Sequence, residues 1–180
     1  RLVTEEGSQD EVYKIELLMK KDNITPSMRQ VVGVCNTLAT TEHAPAAAME
    51  LNDGRIVTGK TSSLLGASAA LLLNAVKACG EIPHNVHVIA PSAIEPIQTL
   101  KTNYLGSRNP RLHTDEVLIA LSVSAATDPM AEKALAQLPK LNGCQVHTSV
   151  MLSSVDIGTF KKLGIQLTSE PVYEHKKIYR

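Results

Sequence analysis

The sequence predicts an α/β fold: a three-layer α/β/α domain with a mixed sheet, preceded by a pair of helices. Three observations lead there. The turn Asn52-Asp53-Gly54 joins Ala46–Leu51 to the β-branched run Arg55–Thr58, which marks a hairpin, since a tight turn favours Gly at φ > 0. Ser63–Gly80 follows as an Ala/Leu-rich helix that is apolar nearly all round, so it must be buried on more than one side. After it, short apolar strands alternate with helical segments. That order implies a largely parallel sheet covered on both faces, with the antiparallel hairpin at one side.

In chain order, Asp10–Asp22 carries Val12, Ile15, Leu18 and Met19 at helical spacing. Thr25-Pro26 opens a second helix, with Thr25 as N-cap and Pro26 at the first helical position. It extends to about Thr40, with Met28, Val31, Val32, Cys35 and Leu38 on one side. Residues 1–44 therefore form a helical pair that packs on the sheet or links to a missing N-terminal region, and residues 45–180 form the α/β domain. Within that domain Gly80 caps the long helix, Val86–Ala90 is a short buried strand and Ser92–Leu105 is a helix. Thr114 caps the next helix, which carries Val117, Leu118, Leu121 and Val123. Asp128-Pro129 opens a further helix that stops at Pro139. Gln145–Leu152 is a strand, Ser153-x-x-Asp156 resembles a capping box for Ser154–Leu163, and Ile165–Thr168 is the last strand.

Composition bounds the function. The 180 residues are enough for one domain and a small appendage. Aromatic residues make up only 3%, so the core must be aliphatic. Eighteen basic and eighteen acidic side chains cancel, which gives no general attraction to nucleic acid or to an acidic membrane. Neither is expected as a partner. Three widely spaced cysteines, Cys35, Cys79 and Cys144, suit free thiols in a reducing compartment, so a cytoplasmic location is expected. The apolar run Leu64–Val76 is too short to span a bilayer. The chain opens at Arg1, without Met, as expected of a piece cut from a longer protein.

One nucleotide-type pattern occurs. Gly54-Arg-Ile-Val-Thr-Gly59-Lys60-Thr61 satisfies G-x-x-x-x-G-K-[ST], in which backbone N–H groups wrap phosphates and the Lys reaches their oxygens. Ile56, Val57 and Thr58 favour an extended chain instead, and Asp53-Gly54 is better explained as the hairpin turn. An ATP hydrolase built on Gly54–Thr61 is thus the weakest reading. Lys60, Thr61, Ser62 and Ser63 would still lie at a strand's carboxyl end beside a helix N-terminus, which favours anions. The plain alternative is a helix cap with a solvated Lys60.

The order hairpin, G-R-I-V-T-G, Ala-rich helix, short strand ending in Pro and helix resembles the cytidine deaminase fold over Ala46–Leu105. Zinc deaminases hold their metal with ligands that would fall at Ala67-Ser68-Ala69 and Pro91-Ser92-Ala93-Ile94-Glu95. No ligand stands at either place, so no zinc is expected; any other cofactor is left open. Nearly the whole chain resembles the C-terminal part of a bacterial family known as domain of unknown function 1846. The segments DGRIVTGKTSSLLGASAALLLNAVK, EPIQTLKTNYLGSRNPRLHTDEVLIALSVSAATDP and HTSVMLSSVDIGTFKKLGIQLTSEPVYE carry that likeness. Some members bear the label ATP-dependent peptidase. Neither G-x-S-x-G nor H-E-x-x-H occurs here to support it.

The densest polar cluster is Asn109–Glu116. Arg111 could bind a carboxylate or phosphate, and His113 could act as acid, base or ligand with Asp115 orienting it. The alternative is a capped loop with acids matched to the helix dipole. His147 lies on a strand and could meet the Lys60 region across the sheet, or be a satisfied interior residue. Ser68 reads as a small packing residue. Two functions follow from the residues. The first is a domain that binds an anionic small molecule or nucleotide near Lys60–Ser63, helped by Arg111 or His113, with catalysis shared with its own N-terminal region or a second subunit. The second is a structural domain of a homo-oligomer with no ligand of its own.

Overall fold

In the computed structural model, which describes the backbone of residues 26–173 and the side chains of residues 30–173, helix α1 (Pro26–Glu42) leads into a four-stranded sheet. The expected helix Asp10–Asp22 and the Thr25 cap lie outside the described residues. Strands β1 (Ala46–Glu50) and β2 (Ile56–Lys60) form the hairpin. Its turn is closed by Leu51 N–H donating to the Arg55 carbonyl at 2.8 Å, with Gly54 at φ 90°. Helix α2 (Ala67–Cys79) follows, then α3 (Pro91–Thr99), which runs on as one π turn (Leu100–Tyr104). Then come α4 (Thr114–Ala125), α5 (Pro129–Leu135), a 3-10 turn (Leu138–Leu141), β3 (Gln145–Thr148), α6 (Ser154–Lys162) and β4 (Gln166–Ser169).

The sheet order is β2-β1-β3-β4. β1 pairs antiparallel with both β2 and β3, and β3 pairs parallel with β4. The sheet is mixed, as expected, but two of its three pairings are antiparallel rather than most being parallel. The expected strand Val86–Ala90 does not form. Val88 and Ile89 are buried, yet β1 already has a neighbour on each edge, and the segment between Pro83 and Pro91 anchors as a loop. It is one of the elements on which the deaminase resemblance rests.

β1 has apolar side chains on both faces. Ala46 and Ala48 pack with Val31 and Cys35 of α1 in a small core on one side. Ala47, Met49 and Leu51 face the main core, built with Leu71, Leu72 and Val76 of α2, Val117 and Leu121 of α4, and Phe160 of α6. Alternate residues of a strand point to opposite faces, so a run of alanines serves both layers without crowding either. α1 is therefore packed on the sheet. On α4, Val117 and Leu121 are buried, whereas Val123, expected on the same face, is exposed.

Two glycines matter to the site. Gly59 lies under α2, where an added Cβ would come within 2.3 Å of the Leu71 amide nitrogen and 2.6 Å of the Ala67 carbonyl. Its lack of a side chain lets the helix cross the strand. Gly66 takes the N-cap position of α2, so the helix starts at Ala67 and not at Ser63. Residues 62–66 form a loop instead. It is pinned to the chain before α4 by Gly66 N–H to the Leu112 carbonyl at 3.2 Å and Leu112 N–H to the Leu64 carbonyl at 3.0 Å.

Candidate functional site

The backbone bonds between Leu64, Gly66 and Leu112 bring the start of α2 against the start of α4, and the start of α6 closes the third side. The space between them is a cavity of about 120 Å³. Gly66, Ala67, Ser68 and Ala69 form one wall, Arg111, Leu112 and His113 a second, and Leu152, Ser153 and Asp156 a third. Pro45 and Thr61 close it at the end of the sheet. Three helix N-termini thus meet at one small space. Each carries N–H groups without intrahelical acceptors and the positive end of a helix dipole.

Two of these ends are already satisfied from within. At α4, His113 N–H donates to Glu116 Oε1 at 2.8 Å, and Thr114 donates to Asp156 Oδ1 through both its N–H (3.0 Å) and its hydroxyl (2.7 Å). At α6, the Ser153 hydroxyl accepts from Asp156 N–H at 3.3 Å. The third end, α2, has no side-chain cap. Beside it Ser68 is 4% exposed and its Oγ has no hydrogen-bond partner among the described residues. Most buried polar groups in folded proteins are hydrogen-bonded, so an orphan hydroxyl on a cavity wall stands out.

Asp156 organises the opposite wall. It is 7% exposed, and its Oδ2 lies 3.6 Å from His113 Nδ1. That is an ion-pair separation rather than a hydrogen bond. The Asp156 carboxylate raises the His113 pKa above its usual 6.5, against the opposing effect of partial burial. Burial acts to raise the Asp156 pKa, but His113 and the two Thr114 donors outweigh it, and the net shift is downward. The pair therefore favours imidazolium beside carboxylate over a wider pH range than either group alone. Behind Arg111 and His113, buried Lys101 donates to the Arg111 carbonyl and pairs with Glu116 at 2.8 Å, which fixes the loop from below.

The residues read from the sequence separate into two groups. Thr61, Arg111 and His113 line the cavity. Arg111 Nε also donates to the Ser62 carbonyl, tying the two loops together. Lys60 lies elsewhere: its Nζ pairs with Glu42 Oε2 at 2.9 Å, with both side chains well exposed. The Ser62 hydroxyl accepts from Leu64 N–H (3.3 Å) and Leu65 N–H (3.2 Å), a local turn, and the Ser63 carbonyl accepts from Gln98. Since α2 begins at Ala67, Ser62 and Ser63 are not at a helix N-terminus. Asp115 is exposed and accepts from the next N–H of its own helix, so the acid facing His113 is Asp156. His147 is 3% exposed on the α1 side of the sheet, away from the cavity. Its Nδ1 is 2.7 Å from Thr168 Oγ1 and its Nε2 is 3.3 Å from Glu170 Oε1. Burial lowers its pKa, although Glu170 opposes this. It is a satisfied interior residue.

The phosphate-loop reading fails on geometry. Gly54 is in the hairpin turn and Lys60 at the far end of β2, with an extended strand between them and no loop to wrap a phosphate. Of the two segments at which the deaminase resemblance would put metal ligands, Ala67-Ser68-Ala69 lines the cavity and Pro91–Glu95 does not. Among the described residues, no group of three or more His, Cys, Asp or Glu side chains could hold a metal ion. Ser68 and Asp156 were missed as site residues. Ser68 looked like one small residue among alanines, and Asp156 like half of a capping box. The one available signal is Gly66, the N-cap, which sets the helix start at Ala67, one residue before Ser68.

Fold and site together define a mixed-sheet α/β domain with a small polar cavity at converging helix N-termini. Residues 27–179 match the family described as domain of unknown function DUF1846, C-terminal, and the chain belongs to that family. Its relatives include a UPF0371 protein of Corynebacterium efficiens, 56% identical over 167 residues, and one of Corynebacterium glutamicum, 54% identical over 167 residues. Each comparison covers 93% of this chain and 34% of the relative. A UPF0371 protein of Streptococcus pyogenes is 44% identical over 176 residues, 98% of this chain and 36% of the relative. The chain thus spans about a third of the length of these relatives. Among the described residues, no helix is long and apolar enough to cross a membrane.

Proposed function

We propose that this domain binds a small anionic molecule in the cavity at the start of α2. One observation carries the reading: of three helix N-termini that meet there, α2 alone has no side-chain acceptor for its first N–H groups among the described residues. Uncapped N–H groups at a helix start are donors without acceptors, and the dipole adds to their attraction for negative charge. Arg111 and a His113 biased toward its charged form line the facing wall. The site has moved from the Lys60–Ser63 edge to Thr61, Ser68, Arg111 and His113. At about 120 Å³ it is far below the ~300 Å³ that drug-sized ligands fill, so it holds an anionic head group with the rest of the molecule outside. A nucleotide could enter only by its phosphates. Ser68 makes no hydrogen bond to His113, so the two are not arranged as nucleophile and base, and the reading is one of binding. Any catalysis would draw on the part of the longer protein outside this chain or on a second subunit.

The test is a thermal-shift and calorimetric screen of phosphates, sulfates and carboxylates against the chain. Stabilisation by at least one anion, lost in His113→Ala and kept in Lys60→Ala, supports the reading. Equal loss in both variants would return the site to the strand edge. Absence of any shift would leave the second reading, a structural domain of a homo-oligomer. Exposed Ile119 and Val123, one turn apart on α4, favour that second reading, and light scattering checks it.

A further inference from the structure

Building on the anion reading, we infer that the bound head group is tetrahedral, a phosphoryl group of a phosphomonoester, and that the Ser68 hydroxyl donates to one of its oxygens. Ser68 is the independent observation. It is 4% exposed, it lines the cavity, and its Oγ has no hydrogen-bond partner among the described residues. The next residues along the wall, Ala67 and Ala69, offer only backbone N–H groups, which point the same way out of the first turn of α2. That wall therefore presents neutral donors to the cavity.

The opposite wall supplies charge. His113 lines the cavity, with its Nδ1 3.6 Å from Asp156 Oδ2. Asp156 does not repel the anion as a bare carboxylate would. One oxygen is occupied by the two Thr114 donors and the other faces His113. Arg111 lies on the same wall as His113, with its Nε donating to the Ser62 carbonyl. Donors arriving from separate walls suit oxygens that point in different directions, as three phosphoryl oxygens do. A carboxylate offers two oxygens in one plane and can satisfy one wall at a time. Cavity size agrees: the space is large enough for a phosphoryl group.

The experiment titrates the chain calorimetrically with glycerol 3-phosphate, inorganic phosphate and malonate at the same pH. The two phosphates are expected to bind, and malonate at least about tenfold more weakly. Ser68→Ala removes one hydrogen bond to a charged oxygen and is expected to weaken glycerol 3-phosphate by about tenfold or more. Amide NMR provides the second measurement. The N–H resonances of Ala67–Ala69 are expected to shift on adding inorganic phosphate, whatever the variant does to the fold. Malonate binding as tightly as the phosphates overturns the tetrahedral assignment and leaves the anion site standing. Phosphate binding that ignores Ser68→Ala overturns the role of Ser68, and amides that stay unmoved overturn the placement of the anion at the start of α2 as well. Binding of none of the three probes overturns both this inference and the anion reading beneath it.

Discussion

Asp156, on α6, accepts two hydrogen bonds from Thr114 and pairs with His113, both at the start of α4, so its loss is felt in both helices. Asp156→Ala strands the Thr114 hydroxyl and N–H in a buried setting, and a loss of about 2 kcal/mol is expected by urea unfolding at pH 6. The pH dependence follows from the shifts. The His113 pKa is raised in the folded state, so its contribution is present below about 6.5 and is lost as pH rises through the raised value. The Asp156 pKa is lowered, so its contribution is present above about 3.9 and is lost as pH falls through the lowered value. Wild type and Asp156→Ala should therefore differ less at pH 9 than at pH 6, and anion affinity should fall over the same alkaline range. His147 has the opposite sign. Its pKa is lowered, so protonation favours the unfolded chain, and stability falls as pH drops below about 6.5. His147→Gln should flatten that acid limb in a melting-temperature series, and an unchanged limb would show that another group causes it. His113 was legible as a candidate because His and Arg cluster on a loop before a capped helix, and it lines the cavity. Its partner was not, because sequence adjacency offered Asp115 while the fold supplies an acid 43 positions further on.

At the scale of elements, Gly59 explains why a nucleotide-like pattern stands in a chain with no phosphate loop. The glycine is there for the α2–β2 crossing. Gly59→Ala puts a methyl into the backbone of α2, and a loss of about 3 kcal/mol is expected, since the helix must move off the strand. Lys60→Ala removes only an exposed ion pair, and a change within about 0.5 kcal/mol is expected in the same urea measurement. A phosphate loop would reverse that order in a ligand assay. The hairpin itself was readable, because Asp53-Gly54 between an alanine run and a β-branched run leaves little choice of turn. The start of α2 was not, because Ser62 and Ser63 are good caps by type. Here Ser62 spends its hydroxyl on a local turn, and the backbone bonds to Leu112 hold the next residues out of the helix.

For the molecule as a whole, α1 is part of the fold. It covers Ala46, Ala48 and His147 on one face of the sheet, and Asn36 donates to Glu170 at 2.6 Å across to the end of β4. Burial pushes the Cys35 thiol up to about 12, with the Glu170 charge adding to the effect. Removing residues 1–44 should expose that face and produce dye-binding, associating protein; a well-behaved monomer of residues 45–180 would show that α1 is dispensable. The α/β class was legible because its signals are local, namely periodicity, turns and caps. Sheet order was not, because pairing depends on which strands meet and Val86–Ala90 is as apolar as a true strand. The pairing of β1 with β3 has a further consequence for how the chain reaches its native state. It joins Ala47 to Thr148, about a hundred residues apart, and closing a loop of that length costs about 4 kcal/mol of chain entropy. The β1–β2 hairpin closes over a few residues and can form first. The central seam waits for nearly the entire chain, and the cavity waits with it, since its walls come from residues 66–69, 111–113 and 152–156. A nascent chain that has made the hairpin and α2 holds the uncapped helix start but has nothing yet to enclose it.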